Sequence, residues 1–153
     1  MARDNEMLLA QSLMERLSVK QEWPNTRAGS LRFLKESIRR DLESLLNTRR
    51  PLARELEGYN EAANSVLNYG FDDLNTVQST PDGRLQDMQR AVHQCVAQNE
   101  PRLTNVVVSV EGGDLLKREI RLHIEARLPL YPIVELVSFD TVFDMTSETY
   151  SVG

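Results

Sequence analysis

Three places in the chain hold residue types that do chemistry, at short spacing. Asp72 and Asp73 are neighbours in "YGFDDL", Glu100 and Arg102 flank Pro101 in "NEPRL", and His93 and Cys95 stand two apart in "VHQC". Paired carboxyls hydrolyse glycosides only across a cleft, roughly 5 to 9 Å apart, with one pKa raised. Adjacency along the chain does not supply that geometry, and an arginine two residues from Glu100 would hold its carboxyl ionised. Aromatic residues make up 6% of the chain, a thin supply for stacking on sugars. His93 and Cys95 on a helix would point roughly 200° apart, so they would share neither a metal nor a nucleophile–base contact. Cys95 reads as a small hydrophobe bordering a buried stripe. His123 falls on the polar face of a strand, among charges that suit a solvated imidazole. There is no GxSxG elbow, Walker loop or GxGxxG. "EGGD" joins two strands and lacks the helix that a phosphate cradle uses. No catalytic residue, metal or cofactor is expected.

The elements that must position these residues are legible from periodicity. In "MLLAQSLMERL" (residues 7–17), Leu9, Leu13 and Leu17 share a helical stripe. "SVKQEWPNTRAGS" then reads as a linker containing Trp23, Pro24 and Gly29. Ser30 caps a long helix ending near Asn47, with Leu31, Leu34, Ile38, Leu42 and Leu45 on its apolar side and Pro51 barring continuation. A short helix over "EAANSVLN", capped by Asn60, ends at Gly70. Thr80 and Pro81 start the next helix, which buries Leu85, Met88, Val92 and Val96 and stops before Pro101.

After Pro101 the period becomes two. Val106, Val108 and Val110 share a face, and "EGGD" supplies the glycines of a tight hairpin. Leu116, Ile120, Leu122, Ile124, Ala126 and Leu128 then alternate with Lys117, Glu119, Arg121, His123, Glu125 and Arg127. "LPLYP" breaks that strand, and "IVELVSFDTVFDM" forms a third. The fold class is α+β, with N-terminal helices packed on one face of a C-terminal antiparallel three-stranded meander. Residues 1–29 form an N-terminal helix and linker, 30–146 the main domain and 147–153 a tail.

The totals narrow the function classes. A chain of 153 residues with 41% hydrophobic and 27% charged residues is an ordinary soluble domain, large enough for a real core. The net charge of −5 argues against nucleic-acid binding. The arginines of "IRRDLESLLNTRRPLAR" are interleaved with Asp41, Glu43 and Glu55, as on a solvated face or a protein-binding patch. A single cysteine excludes an internal disulfide. No secretory leader or membrane span is legible, so a cytoplasmic protein is expected.

The pair in "NEPRL" exceeds what a helix-to-strand connection requires. Two residues apart in extended chain, Glu100 and Arg102 would point the same way. An exposed pair would contribute under about 1 kcal/mol, whereas an arginine fork suits recognition of a partner. A free edge on the third strand could likewise accept a partner strand, unless "TSETYSVG" covers it.

The combination of "SLMERL", "RDLESLLNTRRP", "SVLNYGFDDL" and "EPRL", in that order, resembles the TssE family. These are baseplate components of bacterial type VI secretion systems, similar to a small wedge protein of contractile phage tails. The resemblance runs from about residue 8 to residue 145. It implies a structural role beside TssF, TssG and TssK, linking the wedge to the contractile sheath and helping to start sheath polymerisation. It places the chain in the cytoplasm, in a membrane-docked baseplate, with no nucleic acid and no membrane insertion. The family's Glu-Pro-Arg motif corresponds to Glu100, Pro101 and Arg102 and is associated with sheath attachment. Independently of the resemblance, the stripe of Leu9, Leu13 and Leu17, set off by the linker, is a candidate anchor for a partner's groove, the alternative being that it packs on its own domain. Phe71 departs from the family's usual aliphatic residue and proline after "YG". The alternatives are a regulatory protein-binding adaptor on the same fold and, following the family's "lysozyme-related" label, a glycan hydrolase.

Overall fold

Antiparallel pairing in the order β1-β2-β3-β4 builds one sheet from Thr104–Asp114 (β1), Glu119–Leu130 (β2), Ile133–Asp144 (β3) and Thr149–Val152 (β4). The computed structural model describes residues 9, 11–17, 24–50, 58–63, 65–71, 81–114 and 118–153. Trp23, Pro51, Asp72, Asp73, Thr80, the turn-rich segment up to Thr80, Leu116 and Lys117 lie outside the described residues.

The helices are α1 (Leu13–Leu17), α2 (Arg27–Asn47), α3 (Asn60–Ala63) and α4 (Pro81–Asn99), with a 3-10 turn at Val66–Asn68. Two differ from the sequence reading at their starts. α1 begins at Leu13 because Ser12 and Glu15 close a capping box: the Glu15 amide donates to Ser12 Oγ (3.4 Å) and the Ser12 amide to Glu15 Oε2 (3.2 Å). α2 begins at Arg27, not after Ser30, because Thr26 supplies the cap, its Oγ1 accepting from the Gly29 amide at 3.1 Å. Asn60 is the first residue of α3, and a separate cap follows, Ser65 accepting from the Leu67 amide at 3.3 Å.

The chain divides into two units, Met1–Asp41 and Leu42–Gly153. In the first, Leu34 and Ile38 are buried on α2, and Arg40 reaches Glu15 at 3.4 Å. In the second, Leu42, Leu45 and Leu46 are buried along the last turns of α2, and α4 packs on β1 through a stripe containing Met88, Val92 and Val96. The alternation read for β2 holds: Leu122, Ile124, Ala126 and Leu128 are buried, while Arg121, Glu125 and Arg127 are exposed.

The sheet has a fourth strand, formed by "TYSV" of the tail. "EGGD" lies inside β1, where Gly112 (φ +123°) carries a bulge, so it is not the turn itself. "LPLYP" does not break the strand. β2 continues to Leu130, and Tyr131-Pro132, a cis pair, turns directly into β3.

Candidate functional site

The joint between helix and sheet is built around Glu100, which is 5% exposed. Its amide continues α4 by donating to Val96 O (2.9 Å), and its carbonyl accepts from the Leu103 amide (3.1 Å), closing a turn with Pro101 at the second position. Its carboxylate faces back into that turn. Oε1 accepts from Arg102 Nε at 2.6 Å and from the Arg102 amide at 3.2 Å, while Oε2 accepts from the other arm of the guanidinium. Arg102 is 29% exposed. The two side chains therefore point the same way, as the spacing implies, but they engage each other across a partly desolvated surface. Pro101 is exposed at the apex. Asn105 follows in the left-handed region (φ +50°), beside the first bulge of β1.

A second knot joins two of the motifs quoted above. The Phe71 amide donates to Thr48 O (2.7 Å), the Arg50 amide to Phe71 O (3.0 Å), and Arg50 to Asn68 Oδ1 (2.8 Å). "LLNTRR" and "SVLNYGF" thus form one short parallel bridge, Arg49 with Phe71. Gly70 (φ +118°) is required there, since a Cβ would stand 2.5 Å from Thr48 O. Asn47 then reaches the last strand. Its Nδ2 donates to Tyr150 O and its Oδ1 accepts from the Tyr150 amide, both at 2.8 Å, while Glu43 Oε2 accepts from the Val152 amide at 3.3 Å.

These contacts bear on which sheet edges are open. An edge strand presents main-chain donors and acceptors to any extended segment. On β4 the outward groups of Tyr150 and Val152 are taken by Asn47 and Glu43. On β1, two bulges disturb the ladder, and Gln89 of α4 donates to the outward carbonyl of Val108 at 2.6 Å. β4 itself covers β3 from Asp140 to Asp144, with Asp140 and Gly153 exchanging main-chain bonds at 2.7 and 3.3 Å. Among the described strands, nothing pairs with the outer edge of β3 from Ile133 to Phe139. That stretch pairs regularly with β2, without a bulge, and carries Ile133, Val134 and Leu136 exposed, Leu136 at 74%. Among the described strands, the tail therefore covers only the Asp140–Asp144 half of this edge. Sequence reading missed this apolar strip, although "IVELV" signals it by placing apolar residues on both faces.

The candidate anchor separates into two parts. Leu9 precedes α1, is half-buried, and donates its amide to Ser30 Oγ at 3.4 Å. Leu13 (69% exposed) and Leu17 (66%) are on the helix, as is Met14, and all three are exposed while Glu15 is buried. The helix thus turns its carboxylate inward and its apolar residues outward.

The remaining chemical candidates are accounted for locally. Cys95 is buried, its thiol donating to Gly70 O (3.3 Å), while His93 is exposed. On the outer sheet face, His123 Nδ1 lies 2.6 Å from Asp140 and 4.0 Å from Glu111, and Nε2 lies 3.5 Å from Glu125. Chiefly through the Asp140 hydrogen bond, these carboxylates raise the histidine pKa above its ordinary value. Among the described residues no group of three or more His, Cys, Asp or Glu is placed to hold a metal, and no helix is long and apolar enough to cross a membrane.

No match was found among curated proteins. Among solved structures, a chain of "The baseplate complex from the type VI secretion system" is similar at 16% identity and a TM-score of 0.49, over 74% of this chain and 97% of that one. The model of the family described as "Baseplate wedge protein gp25" matches residues 32–132, a span containing most of α2, the bridge at Gly70, the Glu100–Arg102 joint and the β1–β2 pair. The resemblance to TssE proteins is borne out at the level of this family, and the chain belongs to the baseplate wedge protein gp25 family.

Proposed function

We propose that this chain is a structural component of a type VI secretion baseplate, where it links the wedge to the contractile sheath and helps to start sheath assembly. Its function is carried by surfaces and involves no turnover. The observation that carries this reading is the half-open β3 edge. The other edges and the upper half of β3 are capped or bulged, while Ile133–Phe139 stays regular and apolar. Such an edge takes an extended segment from a neighbouring subunit by main-chain pairing, and sheath subunits are the proposed donors. Glu100, Pro101 and Arg102 form the associated attachment turn. Arg102 is locked on Glu100, so the turn is presented as a rigid knuckle with Pro101 at its apex. Leu13 and Leu17, with Leu9 fixing the approach of the chain, form the anchor for wedge subunits of the TssF, TssG and TssK types. The assembly sits in the cytoplasm on a membrane-docked baseplate.

The test is copurification of tagged wild-type and Arg102→Ala protein from cells expressing wedge and sheath subunits, with circular dichroism and melting temperature recorded on both. The expected result is loss of sheath subunits with the wedge retained and the fold intact. Equal recovery of sheath with both proteins would remove the attachment role of the turn. Loss of every partner together with a large fall in melting temperature would make it a structural joint only.

A further inference from the structure

We infer that the open half of the β3 edge pairs with the same edge of a second copy of this chain, antiparallel about a twofold axis at Leu136. The ladder fixes which groups are available. Asp140 directs its amide and carbonyl outward to Gly153, and strand groups repeat every second residue. Ser138, Leu136 and Val134 therefore direct theirs outward as well, beyond the point where β4 ends. An antiparallel second copy centred on Leu136 sets Leu136 against Leu136, Val134 against Ser138 and Ser138 against Val134, each pair exchanging both main-chain bonds. The intervening positions set Glu135 against Val137. No residue meets a like charge, which shifting the centre to Glu135 would not achieve because Glu135 would then face itself. The paired stretch fits between the Tyr131-Pro132 turn and Asp140, where β4 takes over the edge.

The side chains agree with this register. Leu136 and Val134 lie on the outer sheet face and are exposed, and Ile133 is exposed at the hairpin tip. Pairing across the axis brings two such apolar strips together. The stretch is short, so the buried area falls below that of permanent dimers and the association is reversible. Its consequence rests on the sheath-linking reading above: self-pairing masks the edge in the free protein until a partner strand displaces it.

The experiment is sedimentation of the full chain over a range of concentrations, with Leu136→Lys, Leu136→Glu and a control, Val107→Lys, on the exposed part of β1. Wild type and Val107→Lys should move from the mass of one chain to that of two as concentration rises. Each Leu136 variant alone should self-associate at least about tenfold more weakly, because like charges face each other at the axis. An equimolar mixture of the two variants should recover a dimer, since only a residue that meets its own copy gives this pattern. Unchanged melting temperatures exclude misfolding as the cause. A wild type that stays a single chain overturns the inference and leaves the sheath reading standing, as does a mixture of Leu136→Lys and Leu136→Glu that does not recombine. Loss of sheath copurification with wild-type dimer intact would instead count against the sheath reading alone.

Discussion

The side-chain amide of Asn47 meets the main chain of Tyr150 as a neighbouring strand would, giving one hydrogen bond and taking one, both at 2.8 Å. The end of α2 thereby acts as an edge guard for β4. Replacing Asn47 with Asp keeps the shape but removes the donor and sets a carboxylate against Tyr150 O. The expected cost is about 1–2 kcal/mol, with faster hydrogen exchange at the Tyr150 and Val152 amides. Unchanged protection there would show that the clasp does not hold β4.

The Glu100–Arg102 joint predicts strong coupling between its members. Arg102→Ala leaves a buried carboxylate without its guanidinium and should cost about 2 kcal/mol, between the values for exposed and fully buried pairs. Arg102→Lys cannot reproduce the fork and should recover only part of that. A double-mutant cycle with Glu100→Gln measures the coupling. Additive losses would mean that the pair is not a unit.

Glycine substitutions should separate by surroundings. Gly70→Ala meets Thr48 O at 2.5 Å in addition to its positive φ, and should cost well over about 2 kcal/mol. At Gly112 (φ +123°) a Cβ meets nothing within 4 Å, so only the backbone conformation is penalised, at about 1 kcal/mol. Thermal or urea unfolding of the two variants gives the order, and its reversal would contradict the bridge at Thr48.

His123 gives a pH dependence of definite sign. Its folded pKa is raised, so the fold favours the protonated ring. The contribution is complete below the unfolded value of about 6.5 and is lost as pH rises through the folded value. Denaturation should therefore show the His123–Asp140 contribution in full at about pH 5.5 and progressively less of it as pH rises above about 6.5, and Asp140→Asn should flatten that difference. An NMR titration of the ring gives the shift directly, and a pKa at or below the ordinary value would refute the cause assigned.

The long helices and the alternation of β2 were legible because they depend on local periodicity: Leu34, Ile38, Leu42 and Leu45 recur at helical spacing, and Leu122 to Leu128 at spacing two. β4 was not. "TYSV" offers only two apolar residues in alternation, and its place is decided by Asn47 and Glu43, far earlier in the chain. Pro129 reads as a breaker, yet its ring nitrogen points toward the β1 side, beyond the last partner pair, Thr104 with Arg127, where no donor is needed. At the joint, the pairing of Glu100 with Arg102 followed from spacing. The burial of Glu100 did not, since it depends on how α4 delivers the turn onto the sheet. The open edge was foreseen in kind, while its division at Asp140 was set by the length of β4.

The clasp between Asn47 and Tyr150 spans 103 positions of sequence. Closing so long a loop carries a large entropic cost and comes late in folding. During refolding, the outer main-chain groups of Tyr150 and Val152 on β4 are therefore bare for a time, a second sheet margin beside the one on β3. Yield of native protein should fall with chain concentration during refolding. A trace of Asn47→Asp chains should sharpen that dependence, because the variant lengthens the interval before the margin is closed.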